Sequence, residues 1–182
     1  MALPPEADTR VISVESSASD PKRTSDYSEE SKKMPTSGDI IHDFTGVWWL
    51  LSREDRAADG SIRIDPTLGP DAKGILTYAN GRFAAQFMKR DRSDASETSN
   101  PSLGRNNTGA VGGYDAYFGT YSVDEETGDV LHCLEGALTA ENVGMEVSRT
   151  LTVNDDSLVI QLETTTIEGE PVVRTLTWER VA

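Results

Sequence analysis

A glycine and a tryptophan begin the first predicted strand of this chain, and a tryptophan and an arginine end the last one. The first stretch contains Gly46-Val47-Trp48, and the last contains Trp178-Glu179-Arg180. The first and last strands of a closed barrel are neighbours, so an arginine on one lies within reach of a tryptophan ring on the other. The two patterns therefore predict a sheet closed on itself, with Trp48 inside and its ring near Arg180.

Short strands separated by turn residues fill the chain from Thr45 onward. Asn80-Gly81 is the strongest hairpin signal, because both positions accept a positive φ angle. No amphipathic helix of ordinary length is expected. Consecutive strands joined by tight turns close most naturally as a barrel, so we predict an all-β fold, a closed antiparallel barrel of eight to nine strands. The predicted strands are 46–55, 62–64, 73–79, 82–89, 116–123, 129–138, 145–153, 157–165 and 172–181.

Residues 1–42 differ in composition from the predicted barrel, residues 43–182. They are rich in Ser, Pro, Glu, Asp and Lys and have no sustained periodicity, which is typical of a segment without a core of its own. Two apolar stretches interrupt them, Val11-Ile12 with Val14 and Ile40-Ile41. We expect the first to let this N-terminal extension act as a lid over the barrel mouth, and the second to plug one barrel end. A mobile tail and a solubility appendage are the alternatives.

Charge and apolar content exclude several partners. The net charge of −14 argues against nucleic acid, which requires a clustered basic face. No apolar run approaches the roughly 18 residues of a membrane span, so no membrane partner is expected. The start of the chain lacks the basic and apolar regions of a secretory signal, and the single cysteine, Cys133, fits a reducing compartment. We therefore expect a cytoplasmic protein.

The residue types that bind metals and nucleotides are scarce. One cysteine and two histidines are too few for the four Cys and His ligands of a structural zinc site. The sequence also has no phosphate-binding loop or dinucleotide motif. No serine lies in the elbow motif of a hydrolase. We expect neither a metal nor a cofactor.

Four patterns in the predicted strands carry a resemblance to a known family. They are Gly46-x-Trp48-x-Leu50-x-Ser52, Gly74-x-Leu76-x-Tyr78, Gly113-Tyr114-x-Ala116-Tyr117-x-Gly119-x-Tyr121 and Trp178-x-Arg180. In this order and spacing, over residues 43–182, the chain resembles the lipocalin-like domain family, a branch of the calycin barrels. The resemblance implies the fold, and fold alone does not fix function.

A small calycin-like barrel behind a long acidic extension is also similar to the spirotetramate- and spirotetronate-forming [4+2] cyclases. This narrower resemblance implies a cofactor-free cyclase that folds a linear polyketide-derived tetramate or tetronate during antibiotic biosynthesis. Orientation of the two reacting groups alone supplies about 7–11 kcal/mol in favourable cases. A hydrogen-bond donor to a conjugated carbonyl lowers the barrier further.

Strand alternation assigns the side chains that face the cavity. If Trp48 points inward, so do Leu50, Ser52 and Glu54, whereas Trp49, Leu51 and Arg53 point outward. On the strand at 82–89 we place Gln86 inward, so that Gln86, Tyr121 and His132 are the candidate catalytic donors. A one-residue bulge would reverse such assignments beyond it. The candidate substrate-binding residues are Trp48, Leu50, Tyr78, Phe83, Phe87, Tyr117, Met145 and Trp178.

Each of these residues also has a purely structural interpretation. Trp48 and Trp178 fit the packed floor of a barrel, His132 fits a hydrogen-bonded strand residue, and Arg149 and Arg180 fit covers for aromatic rings or strand ends. A second function from a different class also stays open, non-catalytic binding of a small hydrophobic molecule, and an isomerase of the allene-oxide-cyclase kind is a third. The expected partner is a small hydrophobic polyketide-like ligand. The oligomeric state is monomer or homodimer, since an outward Trp49 fits a dimer contact.

Overall fold

The computed structural model describes residues 44–93 and 106–181, and these residues form nine strands. A 3-10 helix, Ala140–Asn142, lies between the sixth and seventh strands. No helix in these two ranges is long and apolar enough to cross a membrane. The predicted N-terminal extension, with its proposed lid and its Ile40-Ile41 plug, lies outside the described residues. The strands are β1 (Gly46–Ala57), β2 (Ile62–Arg63), β3 (Lys73–Ala79), β4 (Arg82–Met88), β5 (Tyr114–Val123), β6 (Val130–Ala137), β7 (Glu146–Asn154), β8 (Ser157–Thr165) and β9 (Pro171–Arg180).

The sheet closes on itself through its first and last strands. All neighbours pair antiparallel in the order β1-β3-β4-β5-β6-β7-β8-β9, and β9 pairs with β1. The short strand β2 lies beside the C-terminal half of β1. Trp48 lies opposite Arg180, and the guanidinium carbon of Arg180 is 4.1 Å from the centre of the Trp48 ring. The closed eight- to nine-stranded barrel and the contact between its two ends are confirmed.

Turn chemistry sets most strand boundaries where the sequence predicts them. The predicted strands 73–79 and 157–165 agree with β3 and β8 at both ends. Asn80 and Gly81 have φ angles of 50° and 73°, the positive values that a tight hairpin turn requires. β5 begins at Tyr114, earlier than predicted, and Tyr114 also exchanges backbone hydrogen bonds with Val111.

The two ends of the barrel differ in the length of their connections. Tight turns join β3 to β4, β5 to β6 and β7 to β8 at one end, which we call the floor. Phe44 fills the floor: its ring packs edge-on against Tyr78 and Tyr121, and its carbonyl accepts a hydrogen bond of 2.9 Å from the Trp48 indole. The connection of residues 64–72, the described parts of the connection from β4 to β5 (89–93 and 106–113) and residues 166–170 lie at the other end, which we call the mouth.

A β-bulge in β1 changes which side chains enter the barrel. The register between β1 and β9 shifts between Leu50 and Ser52. Trp48 and Leu50 point inward, as predicted. The predicted inward orientation of Ser52 and Glu54 is wrong, because the extra residue turns the alternation over. Arg53, predicted to point outward, and Asp55 face the interior instead.

The predicted inward orientation of Gln86 is also wrong. On β4, Phe83, Ala85 and Phe87 are buried, whereas Gln86 is exposed on the outer surface. Phe83 lies opposite the buried Tyr78 of β3, which fixes the inward face of both strands. The Gln86 side-chain oxygen accepts a hydrogen bond of 2.8 Å from the hydroxyl of Tyr114.

Candidate functional site

The floor half of the barrel is a packed aromatic core. Most of the predicted substrate-binding residues are buried in this core or next to it on the side of the mouth, and Met145 packs against them partly exposed. Phe83 stacks on the ring of His132 with centroids 4.0 Å apart, and the Tyr121 ring lies 5.2 Å from that of Tyr78. The structure therefore brings these side chains together, but the space between them is filled by their own rings. The buried members of the set are Trp48, Leu50, Tyr78, Phe83, Phe87, Tyr117 and Trp178.

His132 and Tyr78 form a buried hydrogen-bonded pair. The Tyr78 hydroxyl and His132 Nε2 are 2.8 Å apart. Burial, together with the nearby Arg149, lowers the pKa of His132 well below its ordinary value, and burial raises the pKa of Tyr78. Both side chains are therefore neutral at pH 7. His132 Nδ1 has no hydrogen-bond partner among the described residues.

The mouth half of the interior contains a network of buried charges. Arg174 binds both carboxylate oxygens of Asp55, at 2.7 and 2.8 Å. Arg53 donates to Asp65 at 2.9 Å and lies 3.5 Å from Asp55. The side chains of all four residues are between 4% and 16% exposed. Buried charges require such partners, since an unpaired one costs several kcal/mol.

Part of this network of buried charges could have been predicted from the sequence. Arg174 alternates with Leu176 and Trp178, so it shares the face that those residues turn inward. A buried arginine on β9 needs a partner of opposite charge, so an acidic residue is expected on the neighbouring strand β1. Only the bulge in β1, however, makes Asp55 that acid.

Residues 106–110, which we call the plug segment, lie in the barrel mouth. Asn107 accepts a hydrogen bond of 2.9 Å from Arg174, the Thr108 hydroxyl donates to Asp115 at 2.5 Å, and Ala110 joins the buried core. The sequence predicts a lid, a binding loop or disorder for the long irregular stretch from Asp91 to Gly113. Residues 94–105 of that stretch lie outside the described residues.

The Asn106 side chain replaces backbone pairing between two strands. The ladder between β7 and β8 stops at Thr150 and Gln161. Beyond this point the Asn106 amide donates to the carbonyl of Ser148 at 3.3 Å and to that of Glu163 at 3.1 Å. Asn106 therefore completes the barrel wall where β7 and β8 separate.

Arg149 is buried without a carboxylate partner among the described residues. Its guanidinium donates to the side-chain oxygen of Asn106, to the carbonyl of Ser148 at 2.8 Å and to the hydroxyl of Tyr117. Burial lowers the pKa of Arg149, but an arginine keeps its charge in proteins. All three partners are neutral, so its positive charge is not cancelled by them.

Asp115 is the second unusual ionisable group at the mouth. One carboxylate oxygen accepts the hydrogen bond from Thr108, and the other, Oδ1, has no partner within the described ranges. Burial raises the pKa of Asp115 to about 6, against the lowering effect of Thr108. The group is therefore protonated far more easily than an ordinary aspartate.

A cavity of about 260 Å³ opens at the mouth. Its walls combine apolar side chains, including Ile64 and Ile167, with Asp55 and Arg174. A small interior pocket of about 30 Å³ adjoins it, with Arg149, Asp115 and Tyr117 in its wall. Such a volume accommodates one or two water molecules or a small polar group. The residues common to both walls are Asp65, Asn107, Gly109, Ala110 and Arg174.

Comparison with protein families bears on this barrel directly. The family model described as a lipocalin-like domain matches residues 45–181, from the start of β1 to the end of β9. The chain belongs to the lipocalin-like domain family. A search of curated proteins found no match to it. For this lipocalin-like domain, the family assignment agrees with the closed antiparallel barrel of the structure.

The described part of the lipocalin-like domain has no group of three His, Cys, Asp or Glu side chains arranged to hold a metal ion. Its buried polar groups at the mouth include the paired network of Arg53, Asp55, Asp65 and Arg174, together with Arg149 and Asp115 in the wall of the interior pocket. The candidate site is therefore the mouth cavity together with the interior pocket.

Proposed function

We propose that this lipocalin-like domain binds a small organic molecule at the mouth of its barrel. The observation that carries the proposal is the mouth cavity of about 260 Å³ that adjoins a pocket inside the barrel. Binding sites for small molecules are mostly apolar clefts with a few polar groups that fix the orientation of the ligand. Ile64, Pro66 and Ile167 supply the apolar wall here, and Arg174 and Asp55 supply the polar one.

The ligand enters from the mouth rather than occupying the floor. The aromatic rings of the floor are in contact with one another, and Phe44 covers them from below. A ligand larger than the mouth cavity would require the plug segment to move, which would break the hydrogen bond between Arg174 and Asn107. A compact ligand needs no such rearrangement.

Cyclase activity is a narrower form of the same proposal. In this form the domain folds a linear polyketide-derived tetramate or tetronate and promotes an intramolecular [4+2] addition without a cofactor. The supporting observation is that Arg149 and Tyr117 hold fixed hydrogen-bonding groups at the wall of the interior pocket. A fixed donor aimed at a carbonyl stabilises the charge that develops in the transition state. His132 and Tyr121, which belong to the packed floor, would then support the shape of the site.

Titration with N-phenyl-1-naphthylamine, a neutral apolar dye that fluoresces when shielded from water, tests binding. We expect one saturable site. Ile167→Trp places a larger ring in the mouth cavity and is expected to weaken dye binding at least about tenfold, or roughly 1.4 kcal/mol. Ile62→Trp is the matched control, because Ile62 is exposed on β2 outside the cavity.

Equal binding by the two variants, or no saturable binding by the wild type, would refute the mouth site. Turnover is tested separately by adding the purified full chain to a culture extract of a strain that lacks it. A new product of unchanged mass, detected by mass spectrometry, supports a cyclase. Ligand retention without such a product supports the non-catalytic binding protein.

A further inference from the structure

We propose that Arg149 forms an anion subsite, so that the ligand is a small amphiphilic acid whose carboxylate or enolate group enters the interior pocket. This inference rests on the proposed function, because the apolar body of such an acid would occupy the mouth cavity. It specifies the chemical class of the ligand, which the proposed function leaves open.

The three interior arginines of the described barrel differ in their partners. Arg174 is paired with Asp55, and Arg53 is paired with Asp65. Among the described residues, Arg149 has only the neutral oxygens of Asn106, Ser148 and Tyr117 beside it. A buried charge without a counter-charge is costly, and the cost is recovered when an anion binds beside it.

Arg149 also lies in the wall of the interior pocket. The pocket volume of about 30 Å³ suits a carboxylate-sized group and is far too small for a ring system. The adjoining mouth cavity of about 260 Å³ accommodates the rest of a compact molecule. Arg174 lines both spaces and therefore lies along the path of an entering anion.

Asp115 is the one group in the interior pocket that would oppose an anion without itself being paired to an arginine. Asp65 also lines that pocket, but Arg53 neutralises it at 2.9 Å. Asp115 takes up a proton readily in its buried position, and the proton would let it donate a hydrogen bond to an anionic oxygen. Its unpartnered Oδ1 alternatively accepts a hydrogen bond from a hydroxyl or amide of the ligand.

Enolic acids are one source of such a head group. Tetramic and tetronic acids lose a proton to give planar oxygen anions, so the substrate class of the cyclase hypothesis satisfies the subsite. A simple aromatic or aliphatic carboxylic acid satisfies it equally. The acidic group, and not the carbon skeleton, is what Arg149 recognises.

The test compares two probes with the same naphthyl body and head groups of similar size, one anionic and one neutral, 1-naphthaleneacetic acid and 1-naphthaleneacetamide. Each is titrated by calorimetry into the full chain at pH 7.5, and each competes with bound N-phenyl-1-naphthylamine. We expect the wild type to bind the acid at least about tenfold more tightly than the amide. Arg149→Met is expected to abolish this preference by weakening binding of the acid far more than binding of the amide, whereas Arg149→Lys retains part of the preference.

Arg82→Met is the matched control, because Arg82 is an exposed arginine paired with Glu135 on the outer surface. It is expected to keep the full preference for the acid. Equal affinity of the wild type for the acid and the amide would overturn the subsite. An equal loss of affinity for the two probes in a folded Arg149→Met variant would overturn it as well. If that variant does not fold, the wild-type comparison and Arg149→Lys decide.

The failure of the subsite is distinguishable from the failure of the proposed function. If the wild type binds the dye and the amide but does not prefer the acid, the result supports the mouth site and refutes the anion subsite. If the wild type binds none of the three compounds, the result refutes both the mouth site and the anion subsite.

Discussion

Two adjacent tryptophans on β1 have opposite environments. Trp48 is completely buried, donates to the Phe44 carbonyl and lies under the Arg180 guanidinium, whereas Trp49 is 46% exposed on the outer surface. Removing a buried tryptophan leaves a large cavity. We expect Trp48→Ala to lower the free energy of unfolding by about 3–5 kcal/mol, as measured by urea denaturation.

Trp49→Ala is the control for that measurement, since it removes the same side chain from the other face of the same strand. Its expected effect is below about 1 kcal/mol, because most surface substitutions change stability little. Similar losses for both variants would mean that the outer face of β1 is covered by a partner in solution.

Asp115 gives the stability of the barrel a predictable pH dependence. Burial raises its pKa from 3.8 to about 6 in the folded state. The folded protein therefore holds this proton more tightly than the unfolded chain, and the associated stability is complete below about pH 4 and is lost as the pH rises through about 6. Relative to Asp115→Asn, the wild type is expected to lose roughly 2–3 kcal/mol of unfolding free energy between pH 4 and 7.

Denaturant melts of both proteins across this pH range measure the difference. The exposed Glu125→Gln is the acid-to-amide control; it keeps Asp115 and is expected to show the same pH dependence of stability as the wild type. A difference between wild type and Asp115→Asn that stays constant with pH would show that Asp115 titrates as it does in the unfolded chain.

At the scale of the elements, the close contact between β5 and β6 requires a glycine at position 119. A Cβ atom at Gly119 would lie 1.9 Å from the carbonyl oxygen of Cys133 on the paired strand. A backbone atom cannot move away as a flexible side chain does. Gly119→Ala is therefore expected to cost about 3 kcal/mol or more and to lower the Tm by about 6–12 °C.

Ser122→Ala tests whether any substitution on β5 has this effect, since Ser122 is exposed three residues further along the same strand. Its Tm is expected to stay within a few degrees of the wild type. A Gly119→Ala variant with an unchanged Tm would mean that β5 and β6 separate at this point at little cost.

At the scale of the whole molecule, the barrel is complete within the described residues. The closing pair of β1 and β9, the floor residue Phe44 and the charge network all lie between residues 44 and 180. Removal of residues 1–36 is therefore expected to leave the Tm nearly unchanged. If the N-terminal extension is a lid, the same truncation weakens ligand retention, or turnover by a cyclase, by at least about tenfold, or roughly 1.4 kcal/mol.

Circular dichroism melts and dye titrations on the full and shortened chains separate these two effects. A truncated protein with unchanged Tm and unchanged ligand affinity would reduce the extension to a solubility appendage. A large fall in Tm would show instead that residues 1–36 contribute to the folded barrel.

The local pattern of the sequence determined the strands, the turns and the closure of the barrel. Alternation along β3 and β8, and the Asn80-Gly81 turn, depend on residues close together in the chain, so they are readable without the fold. The pairing of Trp48 with Arg180 followed because antiparallel closure leaves the two ends no other neighbours.

Only the tertiary structure decided which polar groups entered the barrel. The bulge after Leu50 arises from the register between β1 and β9, strands at opposite ends of the chain, and it turned Arg53 and Asp55 inward. Gln86 turned outward because β3 fixed the face of β4 through the pairing of Tyr78 with Phe83. Within residues 44–93 and 106–181 no carboxylate pairs with Arg149, and this likewise depends on which side chains the folded strands and the plug segment bring beside it, a long-range property that alternation within one strand does not contain.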